Sequence, residues 1–104
     1  MAQPDKVRAL VGMALRSRAA AIGREACKQA ARRGRLRALL LATDAGASAA
    51  RDCGAGEGIP LLQAGMDKQA LGALVGRGEL AALGITETQL AAGLARYARP
   101  VQED

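Results

Sequence analysis

The sequence predicts an α/β fold: a three-layer α/β/α sandwich on a central mixed, mostly parallel four-stranded sheet. Three observations predict it. Helical and strand-like patterns alternate along the whole chain. Residues Ala38 to Ala42 are apolar at every position and run into the turn sequence Thr43-Asp44-Ala45-Gly46, as a strand covered on both faces does. The length of 104 residues suits a single domain, large enough to bury roughly two-thirds of its unfolded surface. Residues 1–99 are expected to form that domain. The polar, proline-led stretch 100–104 is expected to be a disordered tail.

The first helix is expected over residues 5–17, where Val7, Leu10, Val11 and Ala14 recur at helical spacing behind Pro4. Ala19 to Ile22 follows as a short strand. The second helix runs from Gly23 to Arg33 and is closed by Gly34, a residue that takes the left-handed conformation at helix ends. Its Ala26, Cys27, Ala30 and Ala31 share one side, while Arg24, Lys28 and Arg32 form a basic stripe on the other. After the buried strand, Ala47 to Cys53 is helical in composition and breaks at Gly54-Ala-Gly-Glu-Gly58. Ile59 to Gln63 is a short strand with Pro60 near its start. Asp67 is placed to cap a helix through Val75, with Met66 and Leu71 as its hydrophobic staple. Gly76-Arg77-Gly78-Glu79 forms a tight loop. Leu80 to Ile85 returns as a strand, and Thr86 with Gln89 spells a capping box for a last helix on which Leu90, Leu94 and Tyr97 share a face.

Charge is unevenly spread. Residues 1–37 hold ten basic and two acidic residues, net +8, and residues 38–104 hold five basic and eight acidic, net −3. A basic half of this kind is the electrostatic footprint of a polyanion binder. With no Trp, no Phe and a single Tyr, the chain cannot build the aromatic platform on which single-strand binders stack bases. A structured RNA, read through its backbone and shape, fits better. No apolar run approaches the roughly 20 residues of a membrane helix, and Met-Ala-Gln-Pro-Asp lacks the basic and apolar regions of a signal peptide. A cytoplasmic location, no membrane partner, and reduced Cys27 and Cys53 are therefore expected.

Catalysis finds little to work with. There is no His, the carboxylates fall in turns and caps, and Ser17 and Ser48 lie in no nucleophile motif. Asp44, at the end of the buried strand, is the strongest acidic candidate, although a turn or helix cap explains it better. Gly76-Arg77-Gly78 stands between helix and strand, the reverse of the order a dinucleotide loop requires. Neither an enzyme, nor a cofactor, nor a metal site is expected.

Several motifs match one family in order and spacing. They are Leu10-Val-Gly-Met-Ala-Leu-Arg16, Gly23-Arg-Glu25, Arg33-Gly34, Leu39-Leu-Leu-Ala-Thr-Asp44-Ala45, Ile59-Pro60, Lys68-Gln-Ala-Leu-Gly72 with Gly76, and Ile85-Thr86. Across residues 7 to 98 the chain resembles the kink-turn-binding ribosomal proteins, large-subunit proteins seven-Ae and thirty-e, and among them the bacterial YlxQ-type members. The resemblance implies a monomeric α/β/α protein of the ribosome or its assembly that binds a sharply bent RNA with tandem sheared G·A pairs. It places the start of the second helix on those pairs, through a motif G-x-N-E-x-x-K. Gly23 matches the glycine, Glu25 the Asn, Ala26 the Glu and Gln29 the Lys.

Ala26 cannot accept from guanine and Gln29 carries no charge, so two of the four positions depart. Arg24, Lys28 and Arg32 remain for phosphates. Val75, Gly76, Arg77 and Gly78 match the loop that covers a flipped base, and Ala45 and Gly46, with Ala47, match a small apolar loop beside it. The expected function is non-enzymatic binding of ribosomal or kink-turn-containing RNA. The alternative is a protein-interaction module whose RNA face has decayed.

Overall fold

The computed structural model describes residues 2–56 and 58–101. Its elements are α1 (Pro4–Arg16), β1 (Ala20–Ile22), α2 (Arg24–Arg32), β2 (Ala38–Leu41), α3 (Ala49–Asp52), β3 (Leu61–Gln63), α4 (Lys68–Leu74), β4 (Ala82–Ile85) and α5 (Thr88–Tyr97). The strands form one sheet in the order β1-β4-β2-β3.

The sheet corrects the expectation of mostly parallel strands. Only β2 and β3 are parallel; β4 lies between β1 and β2 and runs antiparallel to both. The reason lies in the connection before β4. With seven residues α4 is only about 10 Å long, and the turn after it brings the Leu80 amide back to the Lys68 carbonyl at 2.9 Å. The chain thus re-enters the sheet at the end where β3 left it. Gly72 permits this reversal, since a Cβ there would stand 2.9 Å from the Glu79 backbone.

Two apolar layers flank the sheet. On one face Val7, Val11 and Ala14 of α1, Leu71 of α4, and Ala91 and Leu94 of α5 pack against Leu40, Leu83 and Ile85. On the other, Cys27 and Ala30 of α2 and Cys53 after α3 pack against Leu39, Leu41 and Ala82. All four residues of β2 are buried, two toward each layer, which is why its sequence shows no alternation. At Gly84 an added Cβ would stand 2.8 Å from Leu36 Cδ1 and 3.0 Å from Cys27 Sγ, so α2 approaches β4 through the missing side chain.

The helix ends are set by local chemistry. Asp67 caps α4 as expected, accepting from the Ala70 amide at 2.8 Å, and Met66 and Leu71 are both buried in one cluster. The capping box at Thr86 is corrected: Glu87 is the cap, its carboxylate accepting from the Gln89 and Leu90 amides. Thr86 is still held by the sheet, its amide donating to the Ala19 carbonyl. At their C-termini α1 and α2 share one geometry. The amides of Arg18 and Ala19 donate to Leu15 and Ala14, and those of Gly34 and Arg35 donate to Ala31 and Ala30. The left-handed residue is Gly34 at φ 68° in α2, but Arg18 at φ 59° in α1, where a non-glycine residue costs roughly 1–2 kcal/mol.

The first two residues of the stretch expected to be a disordered tail, Pro100 and Val101, are paired to the sheet. Pro100 bridges to Leu62, the Val101 amide donates to the Leu61 carbonyl, and Gln63 donates to Arg99, so residues 99–101 line the outer edge of β3. Residues 102–104 of that tail lie outside the described residues.

Gly84→Ala is expected to lower unfolding stability by about 1–3 kcal/mol in urea titration, because the layer between α2 and β4 has no room for a methyl group. Gly46→Ala, where nothing lies within 4 Å of the added atom, is expected to change it little. Equal effects at the two positions would remove the steric role assigned to Gly84.

Candidate nucleic-acid interface

One end of the sheet gathers the C-termini of β1, β2 and β3 and the start of β4. There β1 turns into α2 through Gly23, whose φ of 91° favours glycine, and whose carbonyl accepts from the Cys27 amide at 3.0 Å. Gly23 is the N-cap and provides no side chain to the first turn, so the positive end of α2 faces outward with Arg24 and Glu25 exposed. The N-terminus of α4 is different. Its Lys68 amide donates to Asp44 at 2.8 Å and its Ala70 amide to Asp67. Asp44 is thus a cap that ties the loop after β2 to α4.

The loop after α4 delivers Arg77 to the start of α2. Its amide donates to the Gly72 carbonyl at 2.8 Å, Gly76 takes φ 76°, and Arg77 Nη1 lies 3.4 Å from where a Cβ on Gly23 would stand. Ile22, Gly23, Arg24, Glu25, Ala26 and Arg77 line an open cleft of about 530 Å³. A narrower cleft of about 230 Å³ adjoins it, with Glu79 and Ala49 on its wall. Two cations and an open helix start therefore face a recess able to hold a phosphate.

The candidate residues fall into three groups. Gly23, Arg24, Glu25 and Arg77 come together. Lys28 and Arg32 continue along α2 over a shallow groove floored by Ala31 and Gly54, and Gln29 is exposed on the same helix. Lys28 Nζ lies 3.8 Å from Glu25 Oε1, the single ion pair among the described residues. Ala45 and Gly46 line a separate apolar cleft of about 590 Å³ with Leu41, Leu61 and Val101, and do not touch the recess at Gly23. Val75, Gly76 and Gly78 shape the Arg77 loop; Gly76 and Gly78 are exposed and Val75 is half-buried. Glu79 was not anticipated. Its signal was the spacing of Gly72 before the loop, which permits the fold-back that carries position 79 to the cleft.

Beneath α2 both cysteines are free and buried. Burial, with Cys53 alongside, pushes the Cys27 thiol up to about 12, and burial raises the Cys53 thiol as well. Cys27 Sγ donates to the Ala21 carbonyl at 3.4 Å, which fastens α2 to β1 just before Gly23. Among the described residues no group of three or more His, Cys, Asp or Glu is placed to hold a metal ion, and no helix is long and apolar enough to cross a membrane.

No protein-family model matches the sequence, and no curated protein matches it. Among solved structures the chain is similar to a protein of unknown function from Bacillus halodurans C. The TM-score is 0.74 at 26% identity, covering 91% of this chain and 97% of that one. The α/β architecture is therefore shared across nearly the whole length of both.

The raised Cys27 thiol makes stability depend on alkaline pH. The unfolded chain releases this proton near pH 9 and the folded chain near 12, so the contribution is complete below pH 9 and is lost as pH rises toward 12. The stability advantage of the wild type over Cys27→Ala is accordingly expected to shrink between pH 8 and pH 11 in chemical denaturation. A difference that stays constant would put the thiol at its ordinary value.

Proposed function

We propose that this protein is a non-enzymatic RNA-binding protein that holds a bent, structured RNA of the kink-turn type at the start of α2. The observation that carries the reading is the approach of the Arg77 guanidinium to Gly23, beside Arg24 and the uncapped helix start. A phosphate in that recess meets the outward end of the helix and two guanidinium groups that can each donate twice. The motifs shared with the kink-turn-binding ribosomal proteins, and the concentration of positive charge in residues 1–37, support the same reading.

Recognition differs in kind from the family pattern. With Ala26 and Gln29 at two of the expected base-reading positions, affinity rests more on phosphates than on guanine edges. Gln29, exposed one turn into α2, offers an amide that both donates and accepts. Assembly or maintenance of ribosomal RNA in the cytoplasm is the setting in which such a reader would act.

A gel-shift series with a kink-turn RNA, a straight duplex of equal length and a kink-turn with its G·A pairs replaced tests this. The kink-turn is expected to bind most tightly. Arg77→Ala should weaken it about tenfold, and Lys28→Ala should lower the salt slope by about 1 on every RNA. Equal affinity for all three RNAs would overturn the specific reading.

A further inference from the structure

The opposite end of the sheet is also basic. Ala20 of β1 and Ala38 of β2 are both register partners of Ile85, so the turn after α1 and the segment after α2 meet at the end where β4 finishes. Arg16 and Arg18 arrive from the first, and Arg32, Arg33, Arg35 and Arg37 from the second. All six are exposed, and none joins an ion pair among the described residues. Glu87 opens α5 at this end, but its carboxylate is already engaged by two backbone amides. Arg37 Nη1 donates to the Gly34 carbonyl at 2.9 Å and so serves the end of α2; the other five have no such duty among the described side-chain hydrogen bonds.

Arg18 is the most telling of them. It occupies the left-handed position that Gly34 fills in the matching turn after α2, so the chain keeps a long cationic side chain where its own twin motif uses glycine. Every one of the six cations is arginine, whose planar guanidinium pairs bidentately with phosphate. The Arg24–Lys28–Arg32 stripe runs down α2 from the candidate RNA recess to this end.

We propose that this second end is a phosphate-binding surface for an arm of the same RNA. The arm leaves the α2 start, follows the basic stripe and passes over Arg16, Arg18, Arg33 and Arg35. The inference rests on the reading of the α2 start as an RNA site, and it adds a second contact there to the first.

The test compares a minimal kink-turn RNA with one whose arm is extended beyond the 30 Å extent of the molecule. The wild type is expected to bind the extended RNA about tenfold more tightly, with a salt slope steeper by about 2 or 3. Arg16→Gln with Arg35→Gln should remove that gain and leave the minimal RNA unaffected. Arg18→Gly, which relieves the left-handed backbone, should melt no lower than the wild type and still lose part of the gain, so that lost binding is not lost folding. No gain from the extended arm would leave these arginines to an acidic protein or to solvent and overturn the proposal, as would variants that weaken both RNAs equally. If instead the kink-turn shows no advantage over straight duplex while the same variants still weaken the duplex, the reading of the α2 start fails and this surface stands.

Discussion

Everything at the candidate interface depends on how closely α2 lies on β4. Cys27 and Leu36 occupy the space that a side chain at Gly84 would take, and the Cys27 thiol reaches the Ala21 carbonyl on the neighbouring strand. The helix is fixed to two strands at once, through a glycine and a small polarisable side chain. Its first turn lies immediately past the end of β1. In a core without phenylalanine or tryptophan, such close approach replaces bulk as the source of packing.

A second close approach places the partner of that helix. Gly72 admits the backbone of Glu79, and the loop between them is pinned by the Arg77 amide on the Gly72 carbonyl. The two devices are independent in sequence and meet at Gly23. The contrast between the two helix starts at this end is equally local. Asp44 and Asp67 satisfy the first turn of α4, whereas the N-cap of α2 has no side chain. Only one of two neighbouring helix starts is thereby free to meet an anion.

Much of this was legible from residues alone. The spacing of Val7, Val11 and Ala14 defined α1, the unbroken apolar run from Ala38 located the buried strand, and Asp67 with Met66 and Leu71 marked the start of α4. The direction of β4 was not legible. A strand buried on both faces reads the same whether its neighbours run with it or against it, and direction was decided by the short α4 and its return to Lys68. Thr86 is the residue type that a cap prefers and Glu87 is not, yet the Thr86 amide pairs with Ala19 and the helix opens one residue later, on the Glu87 carboxylate. At the interface, Gly23, Arg24 and Arg77 each stood out singly. Their meeting is a tertiary event, and the strain at Arg18 belongs to a backbone angle that no spacing rule encodes.

The pairing of residues 99–101 along β3 has a consequence for how the protein behaves when concentrated. An edge strand is a template for foreign strands, and here one edge of the sheet is occupied by the chain's own later segment. The other edge, β1, is three residues long and bracketed by Arg18 and Arg24. Short length and flanking charge are the usual defences of an open edge. Among the described residues, the sheet therefore presents no long, uncharged open edge on which a foreign strand could add.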